Sequence, residues 1–154
     1  MKCTDAGLSS APPPLAAPWR YCSSTSIKAF NDRYGHAAGD TILKRIVLDV
    51  MATTRMSDFT YRFGGEEFVV IADGLNVDDA WALAERMRRR VASSGGGEED
   101  ARLTVSIGIA NCTRDGRDYE TLFDVADKRL YEAKAAGRNR VVGGEKGVRL
   151  VHSG

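Results

Sequence analysis

The sequence predicts an α/β domain of the α+β type, in which a mixed central sheet is flanked by helices. Apolar residues recur at helical spacing in three segments, and apolar residues alternate or run together as strands between them. All four prolines lie within the first 18 residues, so no proline interrupts regular structure in the rest of the chain. A chain of 154 residues has the length of a single domain.

The predicted elements follow in the order helix, strand, strand, helix, strand, helix and short strand. Helices are expected at roughly 40–54, 80–91 and 122–133, with Gly137 placed to end the last of them. Strands are expected at 59–63, 68–71, 103–109 and 141–142, the first two forming a hairpin. Residues 1–26, rich in Ser, Ala and Pro, are expected to form an irregular or disordered leader before a domain over 27–146 and a tail over 147–154.

Composition excludes several classes of function. A net charge of +1 argues against broad electrostatic capture of nucleic acid or of a membrane surface. No run of eighteen apolar residues is present to span a bilayer, and the N-terminus lacks the apolar stretch of a secretory signal. Cys3, Cys22 and Cys112 form neither a metal-binding spacing nor a disulfide framework, which is typical of the reducing cytoplasm.

The hairpin turn carries the first candidate site, Gly64-Gly65-Glu66-Glu67. Two glycines let a ligand approach the backbone closely, and two adjacent carboxylates repel each other unless a cation lies between them. Oxygen ligands of this kind suit Mg²⁺, which shares its coordination shell with phosphates. A solvated hairpin turn is the alternative.

Two further polar clusters flank the predicted helices. Asn31 and Asp40 carry an amide and a carboxylate that could bind the edge of a guanine, although Asp40 could equally serve as the N-cap of the first helix. Lys134 and Arg138, four residues apart at the end of the last helix, could hold phosphate oxygens. Cations also favour helix C-termini, which is the alternative for this pair.

Taken together, these segments resemble the GGDEF family of diguanylate cyclases, which join two GTP molecules into cyclic dimeric GMP. The resemblance extends over about 27–143 in the order and spacing of the family. The segment 30–40 resembles the pattern N-D-x-x-G-H-x-x-G-D, Gly64 to Phe68 matches the signature hairpin, 104–110 resembles S-I-G-[IV], and 124–139 resembles A-D-x-A-[LM]-Y-x-A-K-x-x-G-R-N. The implied fold is similar to that of nucleotide cyclases and polymerase palm domains.

The resemblance implies a role for each matching residue. Glu66 would bind Mg²⁺ or Mn²⁺ and help activate the ribose 3′-hydroxyl, with Glu67 beside it in the metal site. The other positions would bind GTP: the guanine at Asn31 and Asp40, and the phosphates at Gly64, Gly65, Lys134, Arg138 and Lys28. Each domain would hold one GTP, so that catalysis would need a homodimer.

A site for inhibition by the product is implied as well. Arg55-Met56-Ser57-Asp58 resembles the R-x-x-D motif that precedes the hairpin in the family. Arg55 and Asp58 would bind cyclic dimeric GMP, assisted by Arg88 of the next helix. A surface ion pair at a helix end is the alternative.

The sequence departs from the family ahead of Lys28. The family has a buried strand ending in D-x-D-x-F-K, whose first Asp binds metal, whereas the aligned residues here run from Ser23 to Lys28 without a carboxylate. We therefore expect the first strand and its metal-binding Asp to be missing, a departure that a frameshift in the gene would explain. Two functions follow: a cyclase, impaired by that loss, or a degenerate domain that binds GTP or cyclic dimeric GMP without catalysis.

Overall fold

The computed structural model of the chain describes residues 19–24, 35–94, 103–112 and 114–144. Its elements are, in chain order, β1 (Trp19–Ser24), α1 (His36–Met51), β2 (Phe59–Gly64), β3 (Glu67–Ile71), α2 (Val77–Ser94), β4 (Val105–Ile109), α3 (Tyr119–Ala135) and β5 (Val141–Val142). Each helix and strand predicted from residue 40 onward is present, with ends that differ by a few residues.

The strands form one sheet in the order β2-β3-β1-β4-β5. β1 pairs antiparallel with β3 on one side and with β4 on the other, and β2 pairs antiparallel with β3. β5 runs parallel to β4, with Ile107 opposite Val141. The sheet is therefore mixed, which confirms the predicted fold class.

The first strand is where the structure corrects the sequence prediction. Residues 19–24, assigned to an irregular leader, form the central strand β1, so the expectation that the chain lacks a first strand is wrong. Both edges of this strand bond to distant partners, at 67–71 and at 105–109, and this pairing outweighs the weak strand signal of its composition. The remainder of the predicted leader and the tail from residue 145 lie outside the described residues.

Helices cover both faces of the sheet. α1 and α2 pack with Phe68 and Val70 on one face, whereas α3 packs with Val69 and Ile71 on the other. The alternation along β3 follows from the period of two in a strand that is buried on both faces. Among the described residues, none of the helices is both long and apolar enough to cross a bilayer.

The ends of the helices explain two further differences. α1 begins at His36 after Gly35, with no side-chain cap, so Asp40 lies exposed within the helix and is not its N-cap. α3 begins after Asp118, whose carboxylate accepts a hydrogen bond from the backbone N–H of Thr121. α3 ends at Ala135, just ahead of Gly137, which confirms the prediction that this glycine ends the helix.

Candidate functional site

The hairpin between β2 and β3 is held in a defined turn. Gly65 has a φ of 50°, and its carbonyl oxygen accepts hydrogen bonds from Nε of Arg62, at 2.9 Å, and from the Nη2 of the same guanidinium. A Cβ placed on Gly64 or on Gly65 would meet no other atom within 4 Å. The backbone of the turn is therefore accessible, and a ligand can approach it closely.

Glu67 joins this hairpin to the end of α3. Its Oε1 lies 3.7 Å from Nζ of Lys134, and both side chains are partly buried, at 34% and 28% exposure. The carboxylate predicted for a metal site and the cation predicted for phosphate binding are thus neighbours in space. Glu66, the other carboxylate of the turn, directly precedes Glu67 and is half-buried.

Arg138 lies beyond the helix that carries Lys134, in a turn that leads into β5. The sequence placed both residues at the end of the last helix, but α3 ends at Ala135 and Arg138 adopts a left-handed φ of 62°, so that expectation is wrong for Arg138. The N–H of Arg138 bonds to the carbonyl of Ala133 at 3.0 Å, and its side chain is exposed. Arg138 therefore extends the cationic end of α3 towards solvent. Lys28 and Asn31 lie outside the described residues, while Asp40 is exposed on α1.

The donor set for a divalent cation is small. The described residues contain no group of three or more His, Cys, Asp or Glu side chains that could hold a metal. Mg²⁺ is commonly held by one or two carboxylates together with the phosphates of a substrate, and Glu66 and Glu67 fit that requirement. Ser23, which the resemblance aligns with the metal-binding Asp expected in the family, is paired with Glu67 across the β1–β3 ladder. Position 23 therefore lies opposite the first residue of β3, next to the hairpin.

A second candidate site is the turn between α1 and β2. The N–H of Asp58 bonds to the carbonyl of Arg55 at 3.0 Å, and the Asp58 carboxylate accepts the N–H of Arg55 at 2.7 Å. These bonds close the turn and leave the Arg55 side chain exposed. Asp58 therefore caps a turn, where the sequence had suggested a surface ion pair as the alternative to a ligand site.

Arg86, which was not among the site residues predicted from the sequence, is the arginine of α2 that reaches this turn. Its Nη2 donates to the carbonyl of Thr53 at 2.6 Å, whereas Arg88 is buried and contacts Glu85 and Asn139 instead. The period of the buried residues could have shown this, because Ala84, Met87 and Val91 place Arg88 on the inner side of α2 and Arg86 on the outer side.

Comparisons with known proteins agree with this architecture. The model of the family described as "Diguanylate cyclase, GGDEF domain" matches residues 21–140, and the chain belongs to this family. It is 41% identical over 120 residues to the response regulator PleD of Caulobacter vibrioides, covering 75% of this chain and 26% of that protein. It is 39% identical over 116 residues to diguanylate cyclase A of Treponema denticola, covering 74% of this chain and 31% of that protein. The chain thus spans about a quarter to a third of these curated relatives.

Solved structures show the same fold. The active GGEEF domain of a diguanylate cyclase from Vibrio cholerae superimposes with a TM-score of 0.75 at 28% identity, covering 82% of this chain and 81% of that one. The GGDEF domain of DgcB from Caulobacter crescentus, in complex with c-di-GMP, gives a TM-score of 0.72 at 26% identity, covering 82% of this chain and 76% of that one.

Proposed function

We propose that this domain is a diguanylate cyclase that condenses two GTP molecules into cyclic dimeric GMP and two pyrophosphates in the bacterial cytoplasm. The observation that carries the proposal is the ion pair between Glu67 and Lys134, with its 3.7 Å separation. It joins the carboxylates of the hairpin to the cationic end of α3, and phosphoryl transfer needs both kinds of group at one centre.

The side chains divide the chemistry between them. Asn31 and Asp40 bind the guanine edge, while Lys28, Lys134 and Arg138 hold the phosphates and stabilise the charge that gathers on pyrophosphate. Gly64 and Gly65 let those phosphates lie against the hairpin. Glu66 would hold Mg²⁺ or Mn²⁺ and help activate the ribose 3′-hydroxyl, with Glu67 beside it. A divalent cation held there would neutralise charge on the transferring phosphoryl group.

Each condensation forms one bond and breaks another. The 3′-oxygen of one GTP bonds to the α-phosphorus of the other, the bond from that phosphorus to the bridging oxygen of the β-phosphate breaks, and pyrophosphate leaves. The proton of the hydroxyl passes to solvent through the carboxylates of the hairpin. A second, reciprocal reaction closes the ring, so two domains, each holding one GTP, must face each other in a homodimer.

The turn at Arg55 and Asp58 supports a site for cyclic dimeric GMP away from the hairpin. Arg55 is exposed and can pair with a phosphate or a guanine face, and Arg86 contacts the same turn from α2. Arg88, expected here from the sequence, would act only through its neighbours because its guanidinium is buried. Product bound at this turn would inhibit the enzyme as the concentration of cyclic dimeric GMP rises.

A second function is favoured by one observation, the serine at position 23 opposite Glu67. Without a carboxylate there, the metal has fewer protein ligands and the domain could bind GTP or cyclic dimeric GMP without turning GTP over. The two functions share the nucleotide site and differ only in chemistry.

The deciding experiment compares the wild-type chain with Ser23→Asp and with Ser23→Asn, which matches the size of Asp without its charge. Each purified protein is incubated with GTP and Mg²⁺, and cyclic dimeric GMP is measured by chromatography. We expect Ser23→Asp to form product faster than wild type and at lower Mg²⁺ concentration, whereas Ser23→Asn does not. Glu66→Gln in the Ser23→Asp background should abolish the product.

The remaining outcomes separate the two functions. If no variant forms product but all bind a non-hydrolysable GTP analogue, the domain is a binding module. If the folded wild-type protein binds neither the analogue nor cyclic dimeric GMP, both functions are wrong.

A further inference from the structure

Arg88 is a buried arginine whose three nitrogens are all engaged. Only 7% of the residue is exposed. Nε and Nη2 bond to the Glu85 carboxylate one turn earlier on α2, at 3.1–3.3 Å, and Nη1 donates to Oδ1 of Asn139 at 2.8 Å. The first contact is local to the helix, whereas the second crosses to a turn 51 residues further along the chain. Buried charges in proteins are normally paired and hydrogen-bonded, and Arg88 satisfies both conditions through Glu85 and Asn139.

The turn that receives this hydrogen bond is conformationally demanding. Gly137, Arg138 and Asn139 have successive φ values of 110°, 62° and 46°. Residues with a Cβ seldom adopt the left-handed region, so two in succession need support from their surroundings. Within the turn, the N–H of Arg138 bonds to Ala133 and its carbonyl accepts Nε of Arg140. The contact from Arg88 is the support that another element, α2, provides.

Because Asn139 directly follows Arg138, a contact that holds Asn139 also restrains the left-handed backbone of Arg138, from which the Arg138 side chain projects. We propose that Arg88 is a positioning residue: through Asn139 it holds the turn at 137–139 so that Arg138 faces the nucleotide phosphates next to Lys134. The proposal rests on the nucleotide site proposed above for Lys134 and Arg138. It assigns Arg88 to the substrate phosphates of this domain and removes it from the turn at Arg55.

The test is a double-mutant cycle in the affinity for a non-hydrolysable GTP analogue, measured by calorimetry. Arg88→Met keeps an unbranched side chain of similar length and removes the hydrogen bonds to Asn139 and to Glu85, whereas Asn139→Ala removes only the acceptor of the first. We expect each single variant to bind about tenfold more weakly, which corresponds to most of one hydrogen bond to a charged group. The double variant should bind no more weakly than the weaker single variant, because both remove the same contact.

Arg89→Met is the matched control. Arg89 lies next in the chain, contacts the same Glu85 carboxylate at 3.6 Å and is 72% exposed. We expect Arg89→Met to bind the GTP analogue with the same affinity as wild type. A loss equal to that of Arg88→Met would assign the effect to the Glu85 pair and overturn the proposal, as would additive losses in the cycle or wild-type affinity in either single variant.

Hydrogen exchange at the amides of 137–140 keeps the proposal separate from the proposed function. Arg88→Met should exchange faster there than wild type, and Arg89→Met should not. If the wild-type protein fails to bind the analogue, the proposed nucleotide site is wrong. If, in addition, the amides of 137–140 exchange at the wild-type rate in Arg88→Met, the positioning role of Arg88 is wrong as well. If Arg88→Met does not fold, Asn139→Ala, at an exposed position, decides by the same two measurements.

Discussion

At the residue scale, one ion pair determines how the loop before α3 is anchored. The Arg129 guanidinium bonds to both oxygens of Asp115, at 2.7 and 2.8 Å, and to the carbonyl of Ile109 at 2.6 Å. Burial raises the pKa of Asp115, but the hydrogen bonds from Arg129 and from the N–H of Asn111 outweigh it, so the pKa lies below its usual value. The pair therefore stabilises the folded state only while Asp115 is ionised.

The direction of the pH dependence follows. A carboxyl with a lower pKa in the folded state than in the unfolded state contributes stability above its unfolded pKa and loses it as pH falls through the folded value. We expect the free energy of unfolding in urea to fall as pH drops below about 4. Asp115→Asn should remove this contribution and destabilise the fold by about 3 kcal/mol at neutral pH, because Arg129 stays partly buried without its partner.

Asp127→Asn, at an exposed position of α3, is the control for this measurement. It should leave both the neutral stability and its change with pH close to those of wild type. The interpretation of Asp115 is wrong if Asp115→Asn retains the wild-type loss of stability on acidification.

At the scale of elements, the closeness of α3 to the sheet depends on a single position in β4. A Cβ on Gly108 would lie 2.0 Å from the carbonyl oxygen of Ala126 and 2.5 Å from the nitrogen of Leu130, both backbone atoms of α3. The helix can therefore lie directly against the strand, and the position of the helix sets that of Lys134 beside the hairpin. The packing of α3 on β4 therefore also determines the geometry of the candidate site.

Gly108→Ala tests this dependence. Because the clash is with backbone, α3 must move as a body, and we expect a loss of about 3 kcal/mol in unfolding free energy together with weaker binding of the GTP analogue. Gly64→Ala, whose Cβ would meet open space, serves as the control for stability alone. Equal stability of the two variants would show that α3 accommodates the methyl group without moving.

At the scale of the whole molecule, the proposed chemistry needs two copies of the domain. In the proposed mechanism one domain would hold one GTP, so product would form only in the homodimer. We expect the rate per mole of protein to rise with protein concentration until the dimer is saturated, using whichever of wild type and Ser23→Asp forms product. Binding of the GTP analogue per protomer should not change over the same range. A specific activity that stays constant on dilution would place both GTP molecules on one chain.

The parts of the fold that depend on neighbours in sequence could be predicted. The helix at 77–94 follows from apolar residues at helical spacing, and the hairpin follows from two glycines between alternating strands. The end of α3 follows from Gly137, because glycine readily adopts the φ of 110° found there. Periodicity and turn chemistry are local properties, so a single sequence carries them.

Several motifs in family order also determined, from sequence alone, the family and the residues Glu66, Glu67 and Lys134 as site candidates. Only the tertiary structure decided that 19–24 is the central strand, that Glu67 and Lys134 lie 3.7 Å apart, and that Arg88 faces Asn139 while Arg86 faces solvent and the turn. Each of these depends on a partner far along the chain. Strand pairing and the burial of one helix face depend on contacts between segments that are far apart in the sequence. A local sequence pattern contains no information about those contacts.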